Sequence, residues 1–187
     1  MKKRIEALVV LALIVTALTC NVGAQANPEV YTATLIASEA VAGSGAGRIN
    51  IRIVSYSSND EKTSLVEAFK KSQNDGLALL RGMNKGFINI EGQPGRKVYA
   101  VFSRSLKNGH ELIVVGDHVA SKLEKWNNVK VEDHPLAVVH LRFNNSDEPV
   151  NGEVFPAVEL SVTADGYVDV QTDSSNKVMM IDLARKQ

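Results

Sequence analysis

Residues 48–53 read Arg-Ile-Asn-Ile-Arg-Ile, an order that suits a half-buried strand and no helix. A period of two sends Ile49, Ile51 and Ile53 to one side of an extended chain and Arg48, Asn50 and Arg52 to the other. One face is therefore buried and one is wet. The same alternation, less strictly kept, predicts further strands over residues 30–37, 87–91, 98–104, 111–116, 136–143, 154–163, 168–172 and 178–183. Turn residues separate them. Gly43-Ser44-Gly45-Ala46-Gly47 joins the first two strands, and it lacks the Gly-Lys-Ser/Thr ending of a phosphate-binding P-loop. Gly92-Gln93-Pro94-Gly95 ends the third. Lys107-Asn108-Gly109 predicts a tight hairpin, because Asn and Gly both tolerate positive φ, and Asp165-Gly166 predicts another. Residues 144–149 are polar and read as a surface loop.

One region departs from period two. Ser58 can cap a first helical turn while Glu61 reaches back to close a capping box. Leu65, Val66 and Phe69 follow at helical spacing, with Glu61, Lys62, Glu67, Lys70 and Lys71 outside. Gly76 is expected to interrupt the helix, Leu77, Leu80 and Met83 form a second apolar stripe, and Gly86 stops it. The fold class expected is mainly β, with an α+β layout as the alternative: an antiparallel sheet of about nine strands, curled into a barrel or folded as a sandwich, with a short helical insertion lying on it.

The start of the chain carries a different pattern. Lys2-Lys3-Arg4 is followed by an almost wholly apolar run from Ala7 to Leu18 and by Ala24-Gln25-Ala26, whose small residues suit signal peptidase. Residues 1–26 are expected to be a cleaved Sec-type signal, leaving 27–187 as a single β-rich domain in the periplasm or the medium, without a membrane span after cleavage. The apolar run is short for a bilayer anchor, and Thr19 and Ala17 suit lipidation of Cys20 poorly. Removing Lys2, Lys3, Arg4 and Glu6 leaves 18 basic and 20 acidic residues, a net charge of −2. Nucleic acid is therefore not an expected partner. Cys20 is the only cysteine, so thiolate metal sites, cysteine nucleophiles and disulfide scaffolds are excluded from the expected mature chain.

Imidazole is the commonest metal ligand and general base, which directs attention to the four histidines. Asp117-His118 and Asp133-His134 stand at predicted strand ends and bracket residues 119–132. Converged, they could hold a metal ion or serve a small enzyme. Neighbours on an extended chain point apart, however, and no His-Glu-x-x-His spacing is present. His110 is expected to be solvated beside its hairpin, and His140 to be half-buried in register with Leu136 and Val138. No Gly-x-Ser-x-Gly elbow exists; Gly43-Ser44-Gly45 comes nearest. Trp126 follows Val119 and Leu123 at helical spacing, as a plug for the sheet or the wall of a ligand pocket. Met179 and Met180 must face opposite sides of the last strand. The candidate ligand-binding residues are thus Asp117, Trp126, Asp133 and His134, with no catalytic residue, metal or cofactor assigned.

Several segments resemble a group of small exported bacterial proteins of unassigned function: residues 47–53, 112–117, Trp126-Asn127, residues 133–139 and Phe155-Pro156-Ala157. The chain departs from that pattern at 144–149, where a simple Gly-rich connection would be expected. The resemblance implies export and a β-rich fold. The function expected is a non-catalytic binding or envelope-associated module whose partner is a small molecule or an envelope protein. The alternatives are a small metal-dependent enzyme using the Asp/His cluster and a subunit that pairs through an exposed strand edge.

Overall fold

The computed structural model describes residues 27–36, 47–118, 136–162, 168–171 and 177–186, so the expected signal lies outside them. In chain order the elements are β1 (Glu29–Ile36), β2 (Gly47–Ile53), α1 (Asn59–Lys71), α2 (Gln73–Gly82), β3 (Gly86–Ile90), β4 (Arg96–Leu106), β5 (Gly109–Asp117), β6 (Leu136–Phe143), β7 (Pro149–Val162), β8 (Val168–Gln171) and β9 (Val178–Lys186). Each strand from β1 to β7 pairs antiparallel with the next. β7 then pairs with β9, and β9 returns to β1. Eight strands thus close into a barrel, which decides between barrel and sandwich; its β3–β4 seam is short, Gly86–Ile88 against Arg96–Val98. β8 stands outside the ring, paired with Glu159–Val162 at the far end of β7.

Alternation fills the barrel. Ile49, Ile51 and Ile53 are buried, and so are Tyr31 and Leu35 beside them on β1 and Ile88 and Ile90 on β3. Arg48 and Arg52 face out, with Asn50 half-buried. Ile51→Ala should therefore cost roughly 2 to 5 kcal/mol and Arg52→Ala under about 1, read by urea denaturation; similar small effects at both would contradict the inward face.

A second apolar layer covers part of the outside. The β4–β5 register slips between Val98 and Ala100, so Val98 and Val101 face inward while Tyr99 and Ala100 join the outer layer. Val115, Val138, Phe155 and Val158 continue that layer across β5, β6 and β7, and Leu65, Phe69 and Leu80 of the helices pack on it. The capping box forms as expected: Ser58 Oγ accepts from Glu61 N–H at 3.1 Å, and Glu61 accepts from Ser58 N–H at 2.8 Å. Glu61 also takes Lys85 Nζ at 2.7 Å, tying the cap to the link before β3 and holding its own carboxyl below the usual carboxylate range.

The helices divide at Ser72 rather than at Gly76. Ser72 ends α1 and caps α2, accepting from Asp75 N–H at 3.0 Å. Gly76 lies inside α2 because an added Cβ would stand 2.3 Å from the Phe69 ring. The helix ends at Gly82 with Met83 as its C-cap, yet Leu77, Leu80 and Met83 all pack on the outer layer as expected, and Gly86 opens β3 rather than stopping the helix. In the hairpin the two turn residues are Lys107 and Asn108. Gly109 alone takes positive φ (130°), beginning β5 opposite Leu106. β7 starts at Pro149, five residues before its expected start at 154, and Gly152 lets Met180 approach, since a Cβ there would stand 2.6 Å from its sulfur. Met180 fills the barrel while Met179 is half-buried on the opposite side. Asp165-Gly166 lies outside the described residues.

Candidate functional site

The outer wall of β4 to β7 changes character along its length. Toward the helices it is apolar, through Ala100, Val115, Val138 and Phe155. Toward the β4–β5 hairpin the outward positions become Arg104, Glu111, His140, Arg142, Asn151 and Glu153. Strand register makes this a strip: Arg104 stands opposite Glu111, Glu111 opposite Arg142, Arg142 opposite Asn151, and His140 opposite Glu153. Residues directly opposite share a face.

The strip's charged groups are bonded to one another. Arg104 Nη2 donates to Glu111 Oε2 at 2.5 Å, and Arg142 Nε donates to Glu111 Oε1 at 3.1 Å. Arg142 Nη2 reaches Glu153 Oε2 at 3.3 Å, and Lys177 Nζ reaches Glu153 Oε1 at 2.7 Å. The two signs are layered by depth. The side chains of Glu111 and Glu153 are 1% and 9% exposed, whereas those of Arg104, Arg142 and Lys177 are 60%, 41% and 39% exposed. Carboxylates form the floor and cations the surface.

His140 completes the floor. Its Nδ1 lies 3.1 Å from Glu111 Oε1, and its ring meets Phe155 edge-on at 5.2 Å. Burial, with Arg104 and Arg142 nearby, lowers the imidazole pKa despite the opposing carboxylates Glu111 and Glu153. Burial pushes the Glu111 carboxyl up, but His140, Arg104 and Arg142 outweigh it and hold the carboxyl low. At neutral pH the pair is therefore a carboxylate and a neutral ring; the carboxylate 3.1 Å from Nδ1 favours the tautomer with its proton there, which makes Nε2 an acceptor. That Nε2 and Asn151 Oδ1 are both buried without a hydrogen-bond partner. They occupy diagonal positions of the β6–β7 ladder on one face. Two unpaired acceptors there call for a donor.

A second polar cluster closes the barrel end where the hairpin emerges. Tyr31 donates to Glu29 at 2.5 Å, and Tyr56 lies 3.0 Å from both oxygens of the same carboxylate. Arg185 donates to the Tyr31 hydroxyl from Nε and Nη2 at 3.2 and 3.0 Å and to Asp147 at 2.7 Å. Its guanidinium also stands over the Tyr31 and Phe143 rings. Burial, reinforced by Glu29, raises both tyrosine pKa values, and the Arg185 bond lowers that of Asp147. His110 belongs here rather than in solvent. It stacks on Phe143 at 4.6 Å and approaches Asp147 at 3.5 Å, because its strand position points inward at the barrel end. The cluster fastens β9 and the 144–148 loop to β1.

Asp117 ends β5 at the opposite end of the barrel. His118 follows it outside the strand, so alternation no longer separates the two: His118 N–H donates to Asp117 Oδ1 at 3.1 Å, and His118 Nδ1 lies 3.3 Å from the same oxygen. The expected divergence of this pair is thus corrected. Trp126, Asp133 and His134 lie outside the described residues. Among the described residues no group of three or more His, Cys, Asp or Glu is placed to hold a metal, and no helix is long and apolar enough to cross a membrane.

The chain matches no family model, no curated protein and no solved structure in these comparisons. Its site must be read from its own residues. Sequence reading placed His140 in its half-buried register but missed its partners. The signal was available: a turn at Lys107-Asn108 pairs Arg104 with Glu111, putting opposite charges face to face across a hairpin.

Proposed function

We propose that the protein is an exported, non-catalytic binding module of the cell envelope and that it binds its partner on the outer wall of the barrel. One observation carries this reading. The barrel is filled by its own side chains, while the hairpin end of the β4–β7 outer wall lies outside the helix-packed apolar layer and bears a strip of cations over buried carboxylates. Structural cross-strand pairs need no such layering, since exposed pairs contribute little. A wall built to meet an anionic partner does need it, because the buried carboxylates hold the guanidinium forks in place and leave their outer donors free.

The test has two parts. Mass spectrometry of the exported protein should find Asn27 as the N-terminus. The purified mature chain should then co-sediment with isolated cell-envelope fragments at low salt, and an Arg104→Gln/Arg142→Gln variant should lose most of that binding. An intact Met1, or equal co-sedimentation of the variant, would overturn the proposal.

A further inference from the structure

The geometry points to a hydroxylated monocarboxylate, a uronic acid unit of an acidic polysaccharide, as the ligand of the Arg104–Glu111–Arg142–Asn151 strip. This rests on the outer-wall reading above and gives it a substrate class. Charge is the first argument. Arg104, Arg142 and Lys177 face Glu111 and Glu153, so three cations meet two carboxylates and the strip has one positive charge in surplus. A carboxylate neutralises it. A phosphate monoester, carrying about −1.5 to −2 at neutral pH, overshoots.

The unpaired atoms supply the second argument. With its proton on Nδ1 beside Glu111, His140 accepts at Nε2 as Asn151 does at Oδ1, and both atoms lack a partner. An anion without hydroxyls would leave them unpaired at an energetic cost. A sugar acid brings both complements in one unit: a carboxylate for the guanidinium donors and ring hydroxyls for the two acceptors.

Access follows from the bond lengths. Arg142 spans Glu111 and Glu153, and its 3.3 Å bond to Glu153 is the longest in the strip. Lys177 satisfies Glu153 at 2.7 Å without it. A ligand carboxylate can therefore replace Glu153 on Arg142 Nη2 without stranding a buried charge. The ligand's hydroxyls then meet the two acceptors, which lie on the same face of the β6–β7 ladder as Arg142.

Titration calorimetry of the mature chain with oligogalacturonate, a neutral galactose oligomer of the same length, and polyglutamate tests this. Saturable binding is expected for oligogalacturonate alone. Arg104→Gln, whose side chain is mostly exposed, should fold normally and bind at least about tenfold more weakly. Asn151→Ala removes an unpaired buried oxygen, so the free protein should lose no thermal stability, while affinity for oligogalacturonate should fall about threefold or more. Equal binding of polyglutamate would mean that charge alone is recognised and would overturn the inference, as would no binding of oligogalacturonate or an unchanged affinity in Asn151→Ala. If envelope fragments still co-sediment through Arg104 and Arg142 while oligogalacturonate does not bind, the outer-wall reading stands and the uronate assignment fails.

Discussion

Gly86→Ala should destabilise the protein by about 3 to 5 kcal/mol, a loss large enough to leave much of the chain unfolded. Gly86 begins β3 at φ 149°, and a Cβ built there would stand 1.9 Å from the Arg52 carbonyl oxygen on β2. The contact is backbone against side chain, so no rotamer change relieves it. Either the β2–β3 ladder parts or the first residue of β3 leaves it. Gly92 is the control. It also has positive φ, 77°, but an added Cβ there meets nothing within 4 Å, so Gly92→Ala should cost only about 1 kcal/mol. Urea denaturation of both variants decides the matter, and equal losses would show that φ strain, not the close strand approach, sets the cost.

The second large effect belongs to Glu111. Its carboxylate lies on the floor of the outer-wall strip, bonded to Arg104 and Arg142 and 3.1 Å from His140 Nδ1. Glu111→Ala should cost about 2 to 4 kcal/mol, because the cations and the imidazole lose a buried partner. The exposed ends of both arginines reach water, which keeps the loss below the top of the range for buried pairs. Arg104→Ala should cost under about 1 kcal/mol.

Acid should destabilise the fold in two stages. The folded pKa of His140 is depressed below the ordinary 6.5, so the unfolded chain binds the proton more readily and stability falls as pH drops through that value. The Glu111 and Glu61 carboxyls are held below the ordinary 4.5 and that of Asp147 below 3.8. Their stabilisation is present above those values and is lost as pH falls further, through the folded pKa values. Melting temperatures of the wild type and His140→Gln between pH 8 and pH 3 separate the stages: the substitution should flatten the upper one and leave the lower. A wild-type profile flat around 6.5 would refute the depressed, neutral imidazole.

The local elements were legible and the site was not, for one physical reason. β2 and β6 declare themselves by alternation and turn signals, and the capping box needs only Ser58 and Glu61 three residues apart. Those are short-range rules. Gly76 weakens a helix by its own propensity, but the Phe69 ring occupies the missing side chain's place and keeps it inside α2. The polar end cluster was out of reach, since Tyr31 and Arg185 meet only when the last strand returns to the first. The outer-wall strip lay between these cases. Its Arg104–Glu111 pair follows from one hairpin turn, but Glu153 and Lys177 enter through strand pairings that no local pattern encodes.

Ring closure has a kinetic consequence. The bond between Tyr31 and Arg185 joins residues 154 apart, and β9 supplies the pairing that both β1 and β7 require. The barrel therefore cannot be completed while its last strand is still being synthesised, and contacts of such separation fold slowly. On the export route proposed above, through a channel admitting only extended polypeptide, that delay is useful: an unfinished barrel has no locked state to undo before passage. The same delay carries a hazard. Until β9 docks, β1 and β7 present unpaired edges able to recruit strands from other chains.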